Sequence, residues 1–214
     1  MNCIICQSDT KELVHPDNGQ VFHECLSCHF IKKNSTHHLT SEKELEQYEH
    51  HENSIDDPRY VAFFEKFLDA AVFPFTDEGR EGLDFGSGPE PVLAQLLKRD
   101  YGYNMTIYDL FYSLEETYRN KTFDLITTTE VVEHIPDPLP IFLELKDLMK
   151  EDSILAVMTL FQPKDEKEFW NWHYIRDFTH ISFFTPEAMR IISEKAGLEI
   201  IYCDNHRYTT FRKK

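Results

Sequence analysis

Four groups of residues in this chain have the types and spacing to do chemistry. The first is Leu83-Asp84-Phe85-Gly86-Ser87-Gly88-Pro89, a turn with two glycines between a strand-like run and the helix-like Pro91–Leu97. Such a turn lets the backbone approach a ligand and presents N–H groups from a helix start. Asp109 follows 25 residues after Asp84 and closes a second strand-like run, Met105–Tyr108. An acidic residue there can accept hydrogen bonds from both hydroxyls of a ribose. Turn and acid together point to a nucleoside cofactor. The second group, Thr128-Thr129-Glu130-Val131-Val132-Glu133-His134, lies just past the end of another strand-like run, where α/β sheets bind their ligands. Helical spacing would put Glu130, Glu133 and His134 on one face. That is a partial site for Mg²⁺ or Mn²⁺, or else a set of residues that only cap and pair.

The third group is a run between two core elements that carries Trp170, Trp172, His173, Tyr174, Arg176, Asp177, Thr179 and His180. Polar groups are costly to bury without use, so this loop is either an aromatic lid or part of a site. A histidine here could serve as general base, or as a fourth ligand reaching the Glu130/Glu133/His134 face. The fourth group is Cys3, Cys6, Cys25 and Cys28, two CxxC pairs with 18 residues between them. That spacing reads as four thiolates around one zinc, and four cysteine ligands leave the metal no open position. The zinc is therefore expected to be structural. Cys203 stands in the apolar run Leu198–Tyr202 and reads as a core residue.

The chain has 214 residues, is 41% hydrophobic and carries a formal charge of −16. Its length suits one good-sized domain with a small appendage. No run approaches eighteen apolar residues, so no membrane span is expected. The start shows no basic and apolar leader, and with the zinc-type cysteines this reads as a cytoplasmic chain. Strong negative charge disfavours nucleic acid as a partner and favours a small molecule. Oligomeric state is not legible.

Residues 1–33 read as the zinc ribbon, with a core too small to hold without metal. Residues 34–58 read as a polar linker containing His37-His38 and His50-His51, with a short helix, Ser41–Tyr48, lying over the cofactor cleft. Residues 59–214 read as the main domain. An amphipathic helix spans Arg59–Phe73 and stops near Pro74. Then come a strand over Gly82–Phe85, a helix over Pro91–Arg99, and strands over Met105–Asp109 and Phe123–Thr127. Only 13 residues separate Asp109 from Phe123, too few for a strand-and-helix unit, so one unit is reduced and Phe111-Tyr112 is expected to cover the base instead. A helical turn at Glu130–Ile135, a helix over Leu139–Met149, a strand over Ser153–Thr159 and the loop Phe161–Phe184 follow. Thr185-Pro186 starts a helix that ends at Gly197. Leu198–Cys203 and Tyr208–Arg212 close the chain as a hairpin. The fold class is α/β: a Rossmann-like, mostly parallel sheet with an antiparallel C-terminal edge hairpin and a small N-terminal zinc ribbon.

LDFGSG, Asp109, and FDLI followed by EVVEH resemble, in that order, the class I S-adenosylmethionine-dependent methyltransferases, over roughly residues 60–214. The resemblance implies that Asp84, Gly86, Ser87 and Gly88 hold the methionine part of the cofactor. It implies that Asp109, with Leu110 beside it, holds the ribose, and that Thr128 to Glu130 line the inner wall. Glu90, where a third glycine often stands, and the short connection after Asp109 depart from that pattern. The ExxEH run with His180 is similar to metal-dependent O-methyltransferases, which implies Mg²⁺ on Glu130, Glu133, His134 and His180 beside an acceptor hydroxyl. The cysteine ribbon looks like that of zinc-containing sugar C-methyltransferases, where His180 would act as the base. The expected function is methyl transfer to a small molecule, with His180, Glu133 and His134 as catalytic residues. The alternatives are an RNA 2′-O-methyltransferase and a non-catalytic cofactor-binding module that docks through its ribbon.

Overall fold

In the computed structural model, which describes residues 1–49 and 54–214, the chain begins with a small sheet. β1 (Thr10–Val14), β2 (Val21–Cys25) and β3 (Ile31–Lys33) are antiparallel neighbours in that order. α1 (Ser41–Tyr48) follows; His50 and His51 fall outside the described residues. α2 (Pro58–Phe67) starts where the Asp57 carboxylate accepts from the Arg59 N–H, with Pro58 in the first turn. Its coil widens at Leu68–Val72 and tightens at Phe73–Phe75 around Pro74. The expected single helix is thus three conformations in succession, with its buried residues between Phe64 and Val72.

β4 (Glu81–Phe85) leads through the glycine turn into α3 (Val92–Tyr101), which ends at Gly102 with φ 71°. β5 (Asn104–Tyr108) and β6 (Phe123–Thr129) flank β4 and both run parallel to it. Between them lies only a short 3₁₀ turn, Thr117–Asn120, so β5 is the sheet edge among the described residues. α4 (Pro138–Leu148) crosses back to β7 (Met149–Met158), parallel to β6. The stretch expected as an open loop after β7 folds further than its sequence suggested. It contains α5 (Glu166–Asn171), a 3₁₀ turn at His173–Arg176 and β8 (Ser182–Phe183). α6 (Pro186–Ala196) is capped by Thr185 and ended by Gly197, and β9 (Leu198–Cys203) and β10 (Tyr208–Lys213) close the sheet. Strand order is β5-β4-β6-β7-β10-β9, parallel except for β10, which opposes both neighbours.

Alternation along β7 supplies both faces of the sheet. Leu155 and Val157 pack with Phe142, Leu145, Met189 and Ile192 from α4 and α6. Ile154, Ala156 and Met158 pack with Phe64, Phe67, Leu93 and Leu97 from α2 and α3. Parallel strands buried on both faces account for the near-continuous apolar runs in the sequence.

The ribbon is not the self-contained appendage that its short sequence suggested. β8, from the far end of the chain, adds to β3 as a fourth strand, pairing Ile31 with Phe183 and Lys32 with Ser182. Phe22 of β2 is fully buried against Phe169, Trp170 and Phe183, which contributes roughly 1.5–3 kcal/mol of apolar burial. Cys3, Cys25, Cys28 and Phe30 join the main core beside Phe184. No helix among the described residues is long and apolar enough to cross a membrane.

Candidate functional site

The carboxyl ends of β4, β5, β6 and β7 open into a cleft of about 760 Å³, within the usual range for small-molecule sites. At one end lies the glycine turn. Gly86 and Gly88 take φ of 83° and 69°, a region L-residues enter at a cost. A Cβ on Gly86 would lie 2.2 Å from Val131 Cγ2. Asp84 ends nearly buried, accepting from the Thr127 hydroxyl at 2.9 Å. Burial, reinforced by the charge of Asp109, pushes its carboxyl up to about 7, against the Thr127 bond.

Asp109 sits across the turn. Its Oδ2 accepts from the Gly88 N–H at 2.9 Å, and its Oδ1 from the N–H groups of Phe111 and Tyr112 at 2.8 and 3.1 Å. A carboxylate has about four acceptor positions, so one remains, on Oδ2. That is room for one hydroxyl without rearrangement, where the sequence alone suggested two. The same bonds fold the short connection so that Leu110, Phe111 and Tyr112 all line the cleft. The Ser87 and Tyr112 hydroxyl oxygens are buried without a hydrogen-bond partner among the described residues.

Strand alternation corrects one expectation. Thr127 turns towards Asp84 and Thr129 lines the cleft, while Thr128, between them, faces the opposite side of the sheet and does not. Glu130 follows at φ 54°, before the 3₁₀ turn Val132–His134. It is therefore not on a common helical face with Glu133 and His134. It lines the cleft beside Arg207, whose charge opposes the rise that burial imposes on its carboxyl.

Glu133 is fully buried and lies beneath the cleft, outside its lining. The Tyr174 hydroxyl bridges the two acids, 3.0 Å from Glu130 Oε2 and in hydrogen-bond contact with Glu133 Oε1. One phenol proton cannot serve two carboxylates. Burial and the neighbouring Glu130 charge lift the Glu133 carboxyl well above the usual carboxyl range, against the Tyr174 bond. Glu130 Oε1 and Glu133 Oε2 are buried without a hydrogen-bond partner among the described residues.

The two histidines stand at the other end, ring centroids 4.7 Å apart. His180 Nδ1 donates to the Tyr174 carbonyl at 2.8 Å, which makes Nε2 the basic nitrogen. Asp177 Oδ2 lies 3.9 Å from that Nε2. Burial pushes the Asp177 carboxyl up, but His180, Thr179 and His134 more than offset it and hold it below the usual value. His134 Nδ1 donates to the Thr179 carbonyl at 3.2 Å and faces the Tyr48 oxygen at 3.0 Å, while the Tyr48 hydroxyl donates to Glu44. Tyr48 packs on Phe111, so α1 covers the cleft from above. Ligand atoms of Glu133, His134 and His180 come within 4.8 Å of one another. Glu130 is not part of that cluster, which reduces the expected four-residue metal set to three.

Of the aromatic loop, His173, Tyr174, Asp177 and His180 line the cleft, whereas Trp170 and Trp172 turn to the ribbon and Phe169. Arg207, also on the lining, had no signal in the sequence; it comes from the turn before β10. It is the only Lys or Arg on the lining among the described residues, and its Nε is buried without a partner.

Away from the cleft, Cys3, Cys6, Cys25 and Cys28 present sulfurs within 4.8 Å of one another, with pairs at 3.7 Å (Cys3–Cys28) and 3.2 Å (Cys6–Cys25). Tetrahedral zinc with bonds of about 2.3 Å needs sulfurs about 3.8 Å apart. Backbone N–H groups of Ile5, Ser27 and Cys28 point at the sulfurs. Gln7 and His29, each following the second cysteine of a pair, take φ of 67° and 57° to close the knuckles. The donor set fits zinc, with Cys3–Cys28 at the tetrahedral spacing and Cys6–Cys25 closer than it.

Residues 48–202 match the family described as "Methyltransferase domain". A ubiquinone biosynthesis O-methyltransferase from Actinobacillus pleuropneumoniae serotype 5b (strain L20) is 36% identical over 58 residues, 27% of this chain and 25% of that protein. The chain thus aligns with about a quarter of the curated relatives it matches. Among solved structures, mitomycin 7-O-methyltransferase MmcR superposes with TM-score 0.53 at 15% identity, covering 74% of this chain and 59% of that one. An O-methyltransferase family protein from Burkholderia thailandensis gives 0.55 at 12%, covering 75% and 58%. CalO1, a methyltransferase of calicheamicin biosynthesis in its SAH-bound form, gives 0.54 at 15%, covering 73% and 55%.

Proposed function

This chain belongs to the methyltransferase-domain family, and on that premise we propose that it transfers the methyl group of S-adenosylmethionine to a hydroxyl of a small aromatic molecule. The observation that carries this reading is one cleft holding Asp84, the glycine turn and Asp109 at one end and His180 with Asp177 at the other. S-adenosylmethionine, when bound, supplies an electrophilic sulfonium methyl. Asp84 and Arg207 suit the two charges of its amino-acid end, Asp109 a ribose hydroxyl, and Leu110, Phe111 and Tyr112 the base. Tyr48, Phe111, His173 and Tyr174 offer aromatic surface to an acceptor ring. His180 Nε2 takes the hydroxyl proton, and Asp177 stabilises the resulting imidazolium. Little more is needed, because positioning carries most of the rate in such a displacement.

Methyl transfer from labelled S-adenosylmethionine to a panel of phenols and catechols tests this. Transfer to at least one supports it; none across the panel, with the cofactor bound, counts against the acceptor class. The carboxylates on the lining, Glu44, Asp84, Glu90, Asp109, Glu130 and Asp177, disfavour a phosphate-rich acceptor such as RNA.

The Asp84 carboxyl, raised to about 7 in the protein alone, also gives the cofactor affinity a pH dependence. An ammonium beside it favours the ionised form, so binding expels a proton below neutral pH. Affinity for S-adenosylhomocysteine is expected to rise up to tenfold per unit from pH 5.5 to 7 and level off above 8, with proton release visible by calorimetry in two buffers. A flat profile in Asp84→Asn, against a sloping wild type, assigns the effect; a flat wild type refutes it.

A second reading has one observation in its favour. Glu133, His134 and His180 form a three-residue donor set, with Glu133 Oε2 buried and unpartnered. A divalent cation there would lower the acceptor hydroxyl's pKa in place of a free base. Turnover that disappears on chelation and returns with Mg²⁺ or Mn²⁺ would favour it.

We assign zinc to the four cysteines as a structural metal. Purified chain is expected to carry one zinc per molecule by elemental analysis, lost in Cys3→Ser. A metal content near zero in folded protein would contradict this.

A further inference from the structure

The ribbon backs the cleft through the apolar cluster that joins Phe22 and Ile31 to Leu160 and Tyr174, and through polar contacts to segment 177–181. Lys33, the last residue of β3, is fully buried. Its ammonium donates to the Phe178 carbonyl at 3.1 Å, lies 5.9 Å from the centre of the Phe22 ring and faces the Asp177 charge. Burial, partly opposed by Asp177, lowers its pKa to about 8. A buried lysine is costly unless each contact is used. The Lys33 N–H also donates to the Ile181 carbonyl at 2.8 Å, just before β8 pairs with β3.

The other side of the segment is held by the turn after β6. The Ile181 N–H donates to the Glu133 carbonyl at 2.9 Å, and His134 Nδ1 to the Thr179 carbonyl at 3.2 Å. The carbonyls of Phe178 and Ile181 therefore face the ribbon, and the Thr179 carbonyl and Ile181 N–H face the turn. Asp177 and His180 lie in this clamp and line the cleft, while Lys33 does not reach it. The knuckle beyond β2 is tied to the same domain, the Cys28 carbonyl accepting from Thr185 Oγ1 at 2.7 Å.

We propose that Lys33 is a positioning residue: with β3 it fixes segment 177–181 so that Asp177 and His180 face the cleft, which makes the cysteine ribbon the support behind one wall of the acceptor site. The consequence for catalysis rests on the methyltransferase reading of that cleft. The clamp itself does not. A docking module would need no buried cation reaching into a loop that carries His180. A ribbon that only lengthened the core would pack through apolar residues alone.

Amide hydrogen exchange of the full chain, wild type against Lys33→Met, tests the clamp. Methionine keeps the length of the side chain and its packing on Phe22 while removing the donor and the charge. Amides of 177–183 are expected to exchange at least tenfold faster, with strands 82–85 and 123–129 within twofold of wild type. The His180 ring resonance, identified by its loss in His180→Ala, should shift, while S-adenosylhomocysteine affinity stays within twofold. Unchanged exchange in 177–183, or uniformly faster exchange throughout, would overturn the proposal. Should Lys33→Met not fold, Cys6→Ser loosens the ribbon at its most exposed cysteine and must raise exchange in 177–183 in the same selective way. A wild type that fails to bind S-adenosylhomocysteine would sink the cofactor reading, and the exchange pattern would still decide the clamp.

Discussion

His180→Ala is expected to lower methyl transfer by about 10²- to 10⁴-fold, the usual contribution of a general base, while S-adenosylhomocysteine affinity stays within twofold. The reasoning is spatial. His180 sits at the acceptor end with its Nδ1 committed to the Tyr174 carbonyl and its Nε2 beside Asp177. Asp84 and Asp109 hold the opposite end around the glycine turn. Removing the imidazole takes away the proton acceptor and leaves the turn untouched. Steady-state turnover against calorimetric affinity separates the two. Equal loss of both would mean that His180 supports the fold or the cofactor, and the base assignment would fall. His180→Gln refines the test, because its amide can restore the bond to the Tyr174 carbonyl without supplying a base. It should remain as inactive as the alanine variant.

Gly86→Ala is the substitution expected to hurt binding most for the fewest added atoms. Gly86 has φ 83°, where an L-residue costs roughly 1–2 kcal/mol, and its new Cβ would lie 2.2 Å from Val131 Cγ2. Backbone or Val131 must move, and both line the cleft. Affinity for S-adenosylhomocysteine is expected to fall about 10- to 100-fold, combining the conformational cost with the displacement. Gly88→Ala is the internal control. At φ 69° it carries the conformational cost alone, since a Cβ there meets nothing within 4 Å, so its loss should be about tenfold or less. Adding Val131→Ala to Gly86→Ala should recover part of the affinity. If Gly88→Ala proves the more harmful, the close approach to Val131 is not what shapes the turn.

The sheet was legible because its signals are local. Apolar runs bounded by turns marked β4, β6 and β7, Gly197 marked a helix end, and the short span after Asp109 foretold a reduced unit. α1 could be drawn from its sequence to the residue, Ser41–Tyr48. What stayed hidden was set by contacts between distant residues. β8 has only two residues and no periodicity of its own; it is a strand because β3 is there to pair with it. Lys33 stands in Ile31-Lys32-Lys33-Asn34, where nothing local announces burial; it is buried between Phe22 and the distant segment 177–181. At the end of β6 a one-residue difference decides which threonine faces the cleft, and side chains alternate with a period of two, so Thr129 rather than Thr128 lines it. Glu130 leaves the expected helical face because its φ is 54°, a conformation its residue type does not announce. The Glu130–Tyr174–Glu133 arrangement spans 44 residues of sequence, and nothing in either segment alone predicts that they meet.

The most direct test of the account is a calorimetric titration of S-adenosylhomocysteine into the zinc-loaded full chain at pH 8, where Asp84 is ionised. The cleft geometry predicts one site per chain with micromolar affinity, abolished or weakened at least tenfold in Gly86→Ala. Absence of saturable binding up to millimolar ligand, in protein whose fold is verified by exchange protection of the central strands, would contradict the methyltransferase reading itself.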